Sequence, residues 1–271
     1  CQEGATPVYS GATPSKTATA QYTYTFAGWS PNIAPATADQ TYTAVFTSVV
    51  NTYTITWKNE DGTVLETDEN VAYGATPSYD GATPTKDATA QYTYTFAGWS
   101  PEVSYVTGNA VYTATFSSVV NKYTVSFNAN GHGTAPASQT IAYGSLVTKP
   151  ADLSVVGYTF GGWYKEATCQ NVWDFNTDVV TGEVELFAKW TIHTYSNLTF
   201  TSQDESKGTV SVTGEKAEYQ YGDQVTITAK ANDGYTFTGW GDDNNQNPRT
   251  ITIDDNTPSL EAQFIANTST P

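Results

Sequence analysis

Residues able to do chemistry are few in this chain, and they do not cluster. The two histidines, His132 and His193, fall in a turn and in a linker, with no shared pattern around them. No His/Cys group has the spacing of metal ligands. Neither a nucleophile elbow nor a phosphate-cradling glycine loop occurs. Acid pairs are present, as 27 Asp and Glu among 271 residues will produce by chance. Gly241-Asp242-Asp243-Asn244-Asn245 and Asp254-Asp255-Asn256 carry oxygens suited to calcium, but neither has EF-hand spacing, and turn formation accounts for both. Lysines are few, and none recurs at a matched strand position with an acid, so an internal isopeptide bond has no support. The sequence therefore assigns no catalytic, cofactor-binding or metal-ligating residue, and no cofactor. Stacking of sugars on aromatic rings is the chemistry that remains. Trp57, Trp173, Tyr79, Tyr105 and Tyr164 are the candidates, and each also reads as cover for a small core. Tyr164 is the best glycan contact, because it follows Trp163 directly and a strand sends neighbours to opposite faces.

The elements that would position any such residue are repeated. The pattern Tyr-Thr-Phe-x-Gly-Trp is written four times, ending at Trp29, Trp99, Trp163 and Trp240. A residue reused at such regular spacing reads as a core anchor rather than four separate sites. A second pattern follows each copy at period two. It runs Tyr42-Ala44-Phe46, Tyr112-Ala114-Phe116, Leu186-Ala188-Trp190 and Leu260-Ala262-Phe264. Large, small, aromatic in every case suggests that Ala44, Ala114, Ala188 and Ala262 leave room for the indoles, since interiors pack to crystal-like density. The Gly before each Trp fits a bulge or a close backbone approach.

Units one and two align without a gap at an offset of 70, and about two thirds of the paired positions are identical. Unit two is complete. Tyr53, Ile55 and Trp57 alternate with polar residues as a half-buried strand, Asn59 to Gly62 is a turn, and Val64 to Thr67 returns as the hairpin partner. Residues 75–90 read as a long loop over the sheet. Unit one begins at the equivalent of Val71 and lacks the opening hairpin, which leaves unpaired edges and an open core. Either the chain was cut from a longer array, or a neighbouring molecule supplies the strands by β-addition. Unit three inserts residues 165–180, with Trp173 and Phe175 tucked against the sheet. Unit four is the most diverged. The divisions fall at 1–50, 51–121, 122–191 and 192–271. Linkers of about six residues without Gly/Ser-rich character predict a semi-rigid rod of small β modules.

Composition narrows the function classes. The formal net charge is −16, which repels phosphate backbones and disfavours nucleic acid as a partner. No apolar run is long enough to span a membrane as a helix. The chain has no Met and opens on Cys1, so it reads as a processed product or an excised fragment. Cys1 is a fragment edge, an acylated lipoprotein N-terminus or an intermolecular cross-link. Cys169, the only other cysteine, reads as a small, at least half-buried residue, and two such distant thiols do not make a disulfide framework.

Unit three carries a resemblance. The Asn130-Gly131 turn, Ala142-Tyr-Gly144, the run Gly157-Tyr-Thr-Phe-x-Gly-Trp163-Tyr164 and the closing Ala188-Lys-Trp190 resemble, in order, the Listeria–Bacteroides repeat, or internalin B-repeat. Units one and two resemble a variant of it, and unit four resembles the divergent B-repeat. The resemblance implies a β-grasp-like sheet related to mucin-binding and ubiquitin-like modules. It also implies a bacterial cell-surface or secreted setting, with the repeats acting as stalks or adhesive segments. No catalytic residues come with it. The expected protein is a non-enzymatic, extracellular structural and adhesive repeat segment. Two alternatives stand beside it: a filament subunit completed by inter-subunit strand addition, and a carbohydrate- or mucin-binding module. Its partners would be neighbouring modules, copies of itself, or a host glycoprotein or glycan.

Overall fold

The computed structural model describes residues 2–268, so the readings of Cys1 lie outside the described residues. Among those residues every regular element is a β-strand, and no helix is long and apolar enough to cross a membrane. The chain divides into two compact units, split between Asn121 and Lys122.

The first unit begins with β1 (Tyr22–Ser30) and β2 (Thr43–Val50), an antiparallel pair that forms a sheet of its own. Module two follows with β3 (Thr52–Lys58), β4 (Val64–Ala72), β5 (Tyr92–Ser100) and β6 (Ala110–Val120). Its order is β4-β3-β6-β5, with β3 and β6 parallel at the centre and an antiparallel neighbour on each side. The β3–β4 turn closes where the sequence offers Asn59-Glu-Asp-Gly62: Asn59 and Thr63 pair through the backbone, and Gly62 takes φ +88°. Alternation of Ile55 and Trp57 with polar residues sends those two side chains inward, onto Val106 and Tyr112.

Each Tyr-Thr-Phe-x-Gly-Trp strand carries a bulge. The pairing of β1 with β2 shifts between Phe26 and Gly28, and that of β5 with β6 between Phe96 and Gly98; both glycines have positive φ. Strict alternation would put the Trp, three residues beyond the Phe, on the opposite face. The extra residue of the bulge cancels that and brings both rings to one face. Phe26–Trp29, Phe96–Trp99, Phe160–Trp163 and Phe237–Trp240 accordingly meet with centroids 5.4, 5.3, 5.6 and 5.4 Å apart.

The second unit opens with β7 (Lys122–Asn128), β8 (Gln139–Ala142), β9 (Tyr158–Tyr164) and β10 (Val184–Ile192) in the order β8-β7-β10-β9. This repeats the arrangement of module two. Residues 165–180 fold back so that the amide of Trp173 donates to the Trp163 carbonyl at 2.8 Å, and Trp173 and Val180 enter the core.

Module four departs from the expectation of one small sheet per module. It holds β11 (Thr194–Tyr195), β12 (Phe200–Ser202), β13 (Gly208–Thr213), β14 (Tyr219–Gln220), β15 (Gln224–Ala231), β16 (Tyr235–Trp240), β17 (Arg249–Thr252) and β18 (Leu260–Ala266). Two three-stranded sheets, β12-β18-β16 and β13-β15-β17, share one core. The reason lies in the segment before the signature strand. Module two has a Gly/Ala/Thr/Pro loop there, whereas module four has Val225-Thr-Ile227-Thr-Ala229, whose alternation builds β15 and buries all three apolar residues.

A polar clasp recurs where each module ends. The Asn51 amide donates to the Gln21 carbonyl, its Oδ1 accepts from Thr23 at 2.7 Å, and its Nδ2 donates to Thr19 and Ala20 carbonyls. Asn121 does the same with Gln91, Thr93, Thr89 and Ala90. Asn267 pairs with Gly234 and Thr236. The third position is His193, whose amide donates to the Gly157 carbonyl and whose Nε2 meets Thr159 Oγ1 at 3.1 Å. Asn51 and His193 are single-residue junctions, and their carbonyls accept the Tyr73 and Tyr221 amides of the module that follows.

Candidate interaction site

The four signature indoles are not buried alike. Trp163 is 1% exposed and Trp240 is fully buried, whereas Trp29 and Trp99 are half-buried. Each faces an alanine in register across its hairpin: Trp29 with Ala44, Trp99 with Ala114, Trp163 with Ala188, Trp240 with Ala262. The difference comes from what lies on the other side of the ring. In module two that place belongs to Trp57, 1% exposed. Its ring stacks on Tyr112 at 4.8 Å and meets Trp99 at 4.8 Å and Tyr79 at 5.8 Å, while its Nε1 donates to Asp68 at 2.9 Å.

Every complete module repeats this device. One aromatic of the opening strand sits in parallel register with the large residue of the last strand: Trp57 with Tyr112, Phe127 with Leu186, Phe200 with Leu260. A polar side chain just before the paired segment of the last strand accepts from a backbone amide of the opening strand or, in module four, of the residue before it. Asn109 takes the amide of Thr54, Glu183 that of Thr124 and Ser259 that of Thr199, at 2.8 to 3.0 Å.

Among the described residues, module one has the walls of this slot without the filler. Pro7, Val8, Tyr9, Trp29, Ile33 and Tyr42 line an apolar groove of about 320 Å³. Tyr9 and Trp29 stand with ring centroids 4.8 Å apart, against 4.9 Å for Tyr79 and Trp99 in module two. Both tyrosines are folded over a glycine, Gly11 or Gly81, where a Cβ would collide with the ring. Tyr9 is 51% exposed, and Tyr42 is half-buried where Tyr112 is 3% exposed. Strand β2 begins only at Thr43, eight residues long against eleven for β6, and among the described residues the stretch equivalent to Ala110–Tyr112 has no parallel neighbour. Asp39, at the position of Asn109, is exposed.

The other candidates are placed as follows. The Tyr164 ring is half-buried with Lys189 Nζ 5.0 Å from its centroid, so a cation already lies over a face that a sugar would stack on. His132 lies against Tyr158, centroids 4.1 Å apart. Burial pushes the Cys169 thiol above its ordinary pKa, which makes it a poor nucleophile. Asp242 is bound by Arg249 at 2.7 Å, and Asp254 accepts from Thr257 and Asn256. Among the described residues no group of three metal-binding side chains assembles.

His193 is where reading the sequence missed a pattern. Its Nδ1 lies 2.6 Å from Asp255 Oδ1, which also accepts from the Tyr195 hydroxyl at 2.6 Å. Those two bonds, Tyr195 first and His193 second, hold the Asp255 carboxyl below its ordinary pKa. Burial first, and then Asp255, push Tyr195 up to about 12. Beside them the Tyr221 ring packs on Gly157, whose φ of +79° and lack of a Cβ are both required there. The signal was the shared Val-Val-Asn ending of units one and two, which marks Asn51 and Asn121 as equivalent.

Residues 123–189 match the Listeria-Bacteroides repeat domain, and residues 198–268 match the divergent InlB B-repeat domain. These two modules are B-repeats. Internalin H of Listeria monocytogenes is 33% identical over 165 residues, covering 57% of this chain and 28% of that protein. Two Evansella cellulosilytica proteins are also similar. One, a putative membrane protein, is 29% identical over 204 residues, 70% of this chain and 29% of its own length. The other, a putative Gly-rich membrane protein, is 36% identical over 146 residues, 54% of this chain and 16% of its own length. The chain thus spans less than a third of each of these relatives. Streptococcal High Identity Repeats in Tandem domains 3-4 from a cell surface protein align over 52% of this chain and 99% of theirs, with 15% identity and a TM-score of 0.28. The B-repeat modules are of a kind carried by bacterial surface proteins such as the internalins.

Proposed function

We propose that this chain is a non-catalytic structural and adhesive segment of an extracellular bacterial surface protein. It serves as a stalk that spaces other parts of that protein from the cell. The observation that carries this reading is the clasped junction. Single residues, Asn51 and His193, join consecutive modules and are held by hydrogen bonds on both sides. A linker of one hydrogen-bonded residue passes load from one β module to the next, with no flexible segment to take up slack. The net charge of −16 keeps such an array soluble at high surface density. The match of two modules to B-repeats, and the likeness to Internalin H, support the extracellular setting.

The test is surface display. The chain is inserted between a cell-wall anchor and an epitope, and compared with the epitope fused directly to the anchor. This reading predicts greater antibody access and an insert that resists protease. An epitope no more accessible than in the direct fusion, or an insert clipped between modules, would sink it. A glycan and mucin array separates out the carbohydrate reading: saturable binding lost in Tyr164→Ala would replace the stalk with a lectin-like role.

A further inference from the structure

We propose that Thr159 is an acyl-acceptor site, its hydroxyl activated by His193 and Asp255 to attack the carbonyl carbon of an ester presented from solution. The hydroxyl lies 3.1 Å from His193 Nε2, and His193 Nδ1 lies 2.6 Å from Asp255 Oδ1. The Asp255 carboxyl is held ionised and can only accept, so the proton between the two side chains sits on Nδ1. The Nε2 lone pair of the neutral ring is then left to accept from Thr159. A hydroxyl, an imidazole in that tautomer and a carboxylate, in that order, form the relay that turns an alcohol into a nucleophile.

The other modules show that the clasp alone does not need this relay. Thr23, Thr93 and Thr236 stand at the position of Thr159 and donate to Oδ1 of Asn51, Asn121 and Asn267 at 2.7, 2.7 and 2.6 Å. An amide oxygen holds such a hydroxyl in place but is too weak a base to take its proton. Only module three puts an imidazole there, and a carboxylate stands behind it. The relay is also fixed from several sides. The His193 amide donates to the Gly157 carbonyl, the His193 carbonyl accepts from the Tyr221 amide, and the Tyr195 hydroxyl donates to Asp255 at 2.6 Å. All four threonines are exposed, so access does not distinguish them. In the reaction Thr159 Oγ bonds to the carbonyl carbon and the bond from that carbon to the ester's other oxygen breaks. The Thr159 proton passes through Nε2 to the departing alcohol, and nothing is oxidised or reduced. The product is an ester on Thr159 at the junction of modules three and four. A single acylation of this kind involves no turnover, so it adds a chemistry to a stalk without making the chain an enzyme.

The experiment treats the whole chain with p-nitrophenyl acetate and maps the acetyl groups by mass spectrometry of its peptides over time. Thr159 should be acetylated roughly 100-fold faster than Thr23, Thr93 and Thr236, the lower range of general-base assistance. His193→Asn restores the residue that modules one and two use, so the clasp and the melting point should be kept while Thr159 falls to the rate of the other three. Asp255 is a positioning residue. Asp255→Asn should shift the ring proton away from Nδ1, read by nitrogen NMR of His193, and slow the acetylation with it. Equal labelling of the four threonines, or undiminished labelling of Thr159 in His193→Asn, overturns the proposal. So does acetyl found on the His193 ring in place of Thr159, which would make the imidazole itself the nucleophile.

Discussion

Replacing Trp57 by Ala should melt module two while leaving the second compact unit folded. Trp57 is 1% exposed and meets three aromatic rings within 6 Å. Truncating a buried Trp to Ala generally costs about 3–5 kcal/mol. The loss of the Nε1 bond to Asp68 adds to this. A module of ~70 residues has roughly 4–10 kcal/mol of stability to lose. At about 4–8 °C per kcal/mol for a domain of this size, its melting point should fall by at least about 12 °C. Hydrogen exchange by mass spectrometry resolves where the loss falls. Peptides from residues 52–120 should exchange much faster, and those from residues 122–266 should not change. If residues 52–120 keep their protection, the indole does not hold that core together. If exchange speeds up equally along the whole chain, the modules do not have separate cores.

Ala188→Leu places a larger side chain in register with the buried Trp163, and calorimetry should show module three destabilised by about 1–3 kcal/mol. Ala44→Leu, opposite the half-buried Trp29, should cost less, because the open groove leaves room for the indole to move. The junction before module four should respond at both ends of the pH scale. Asp255 is held below its ordinary pKa, so its contribution is present above about pH 4 and is lost as pH falls through the lowered value. NMR shifts of Tyr195 should show that acid step, and Asp255→Asn should remove it. Tyr195 is raised from its ordinary 10.0 to about 12. Its contribution is therefore present below pH 10 and lost as pH rises towards 12, a decline that Tyr195→Phe should abolish.

Much of the fold could be read from periodicity. Alternation in Tyr53-Ile55-Trp57 and Tyr92-Tyr94-Phe96 marks strands, because a half-buried sheet imposes period two on the sequence. Glycine before tryptophan marks the bulge, because an added residue needs a backbone conformation that glycine adopts freely. The second sheet of module four was harder to see. Val225, Ile227 and Ala229 alternate, but they stand where the other modules run a loop, and aligning by repeat hid them. The site divides in the same way. The offset of 70 makes the missing neighbour of β2 recognisable. That Tyr9 and Trp29 keep their spacing without a filler is a matter of packing over Gly11, which no sequence pattern records. His193 escaped notice because a clasp needs a hydrogen-bonding side chain rather than one residue type, so an imidazole stands in for an amide.

The claim that matters most is that the chain is a series of separately cored modules joined by clasped junctions. Pulling single molecules by their ends tests it directly. The account predicts an early, low-force opening of module one. It then predicts three unfolding steps of roughly 25 nm, each the extended length of ~70 residues. One cooperative event releasing about 75 nm, or smooth extension with no steps, would contradict it.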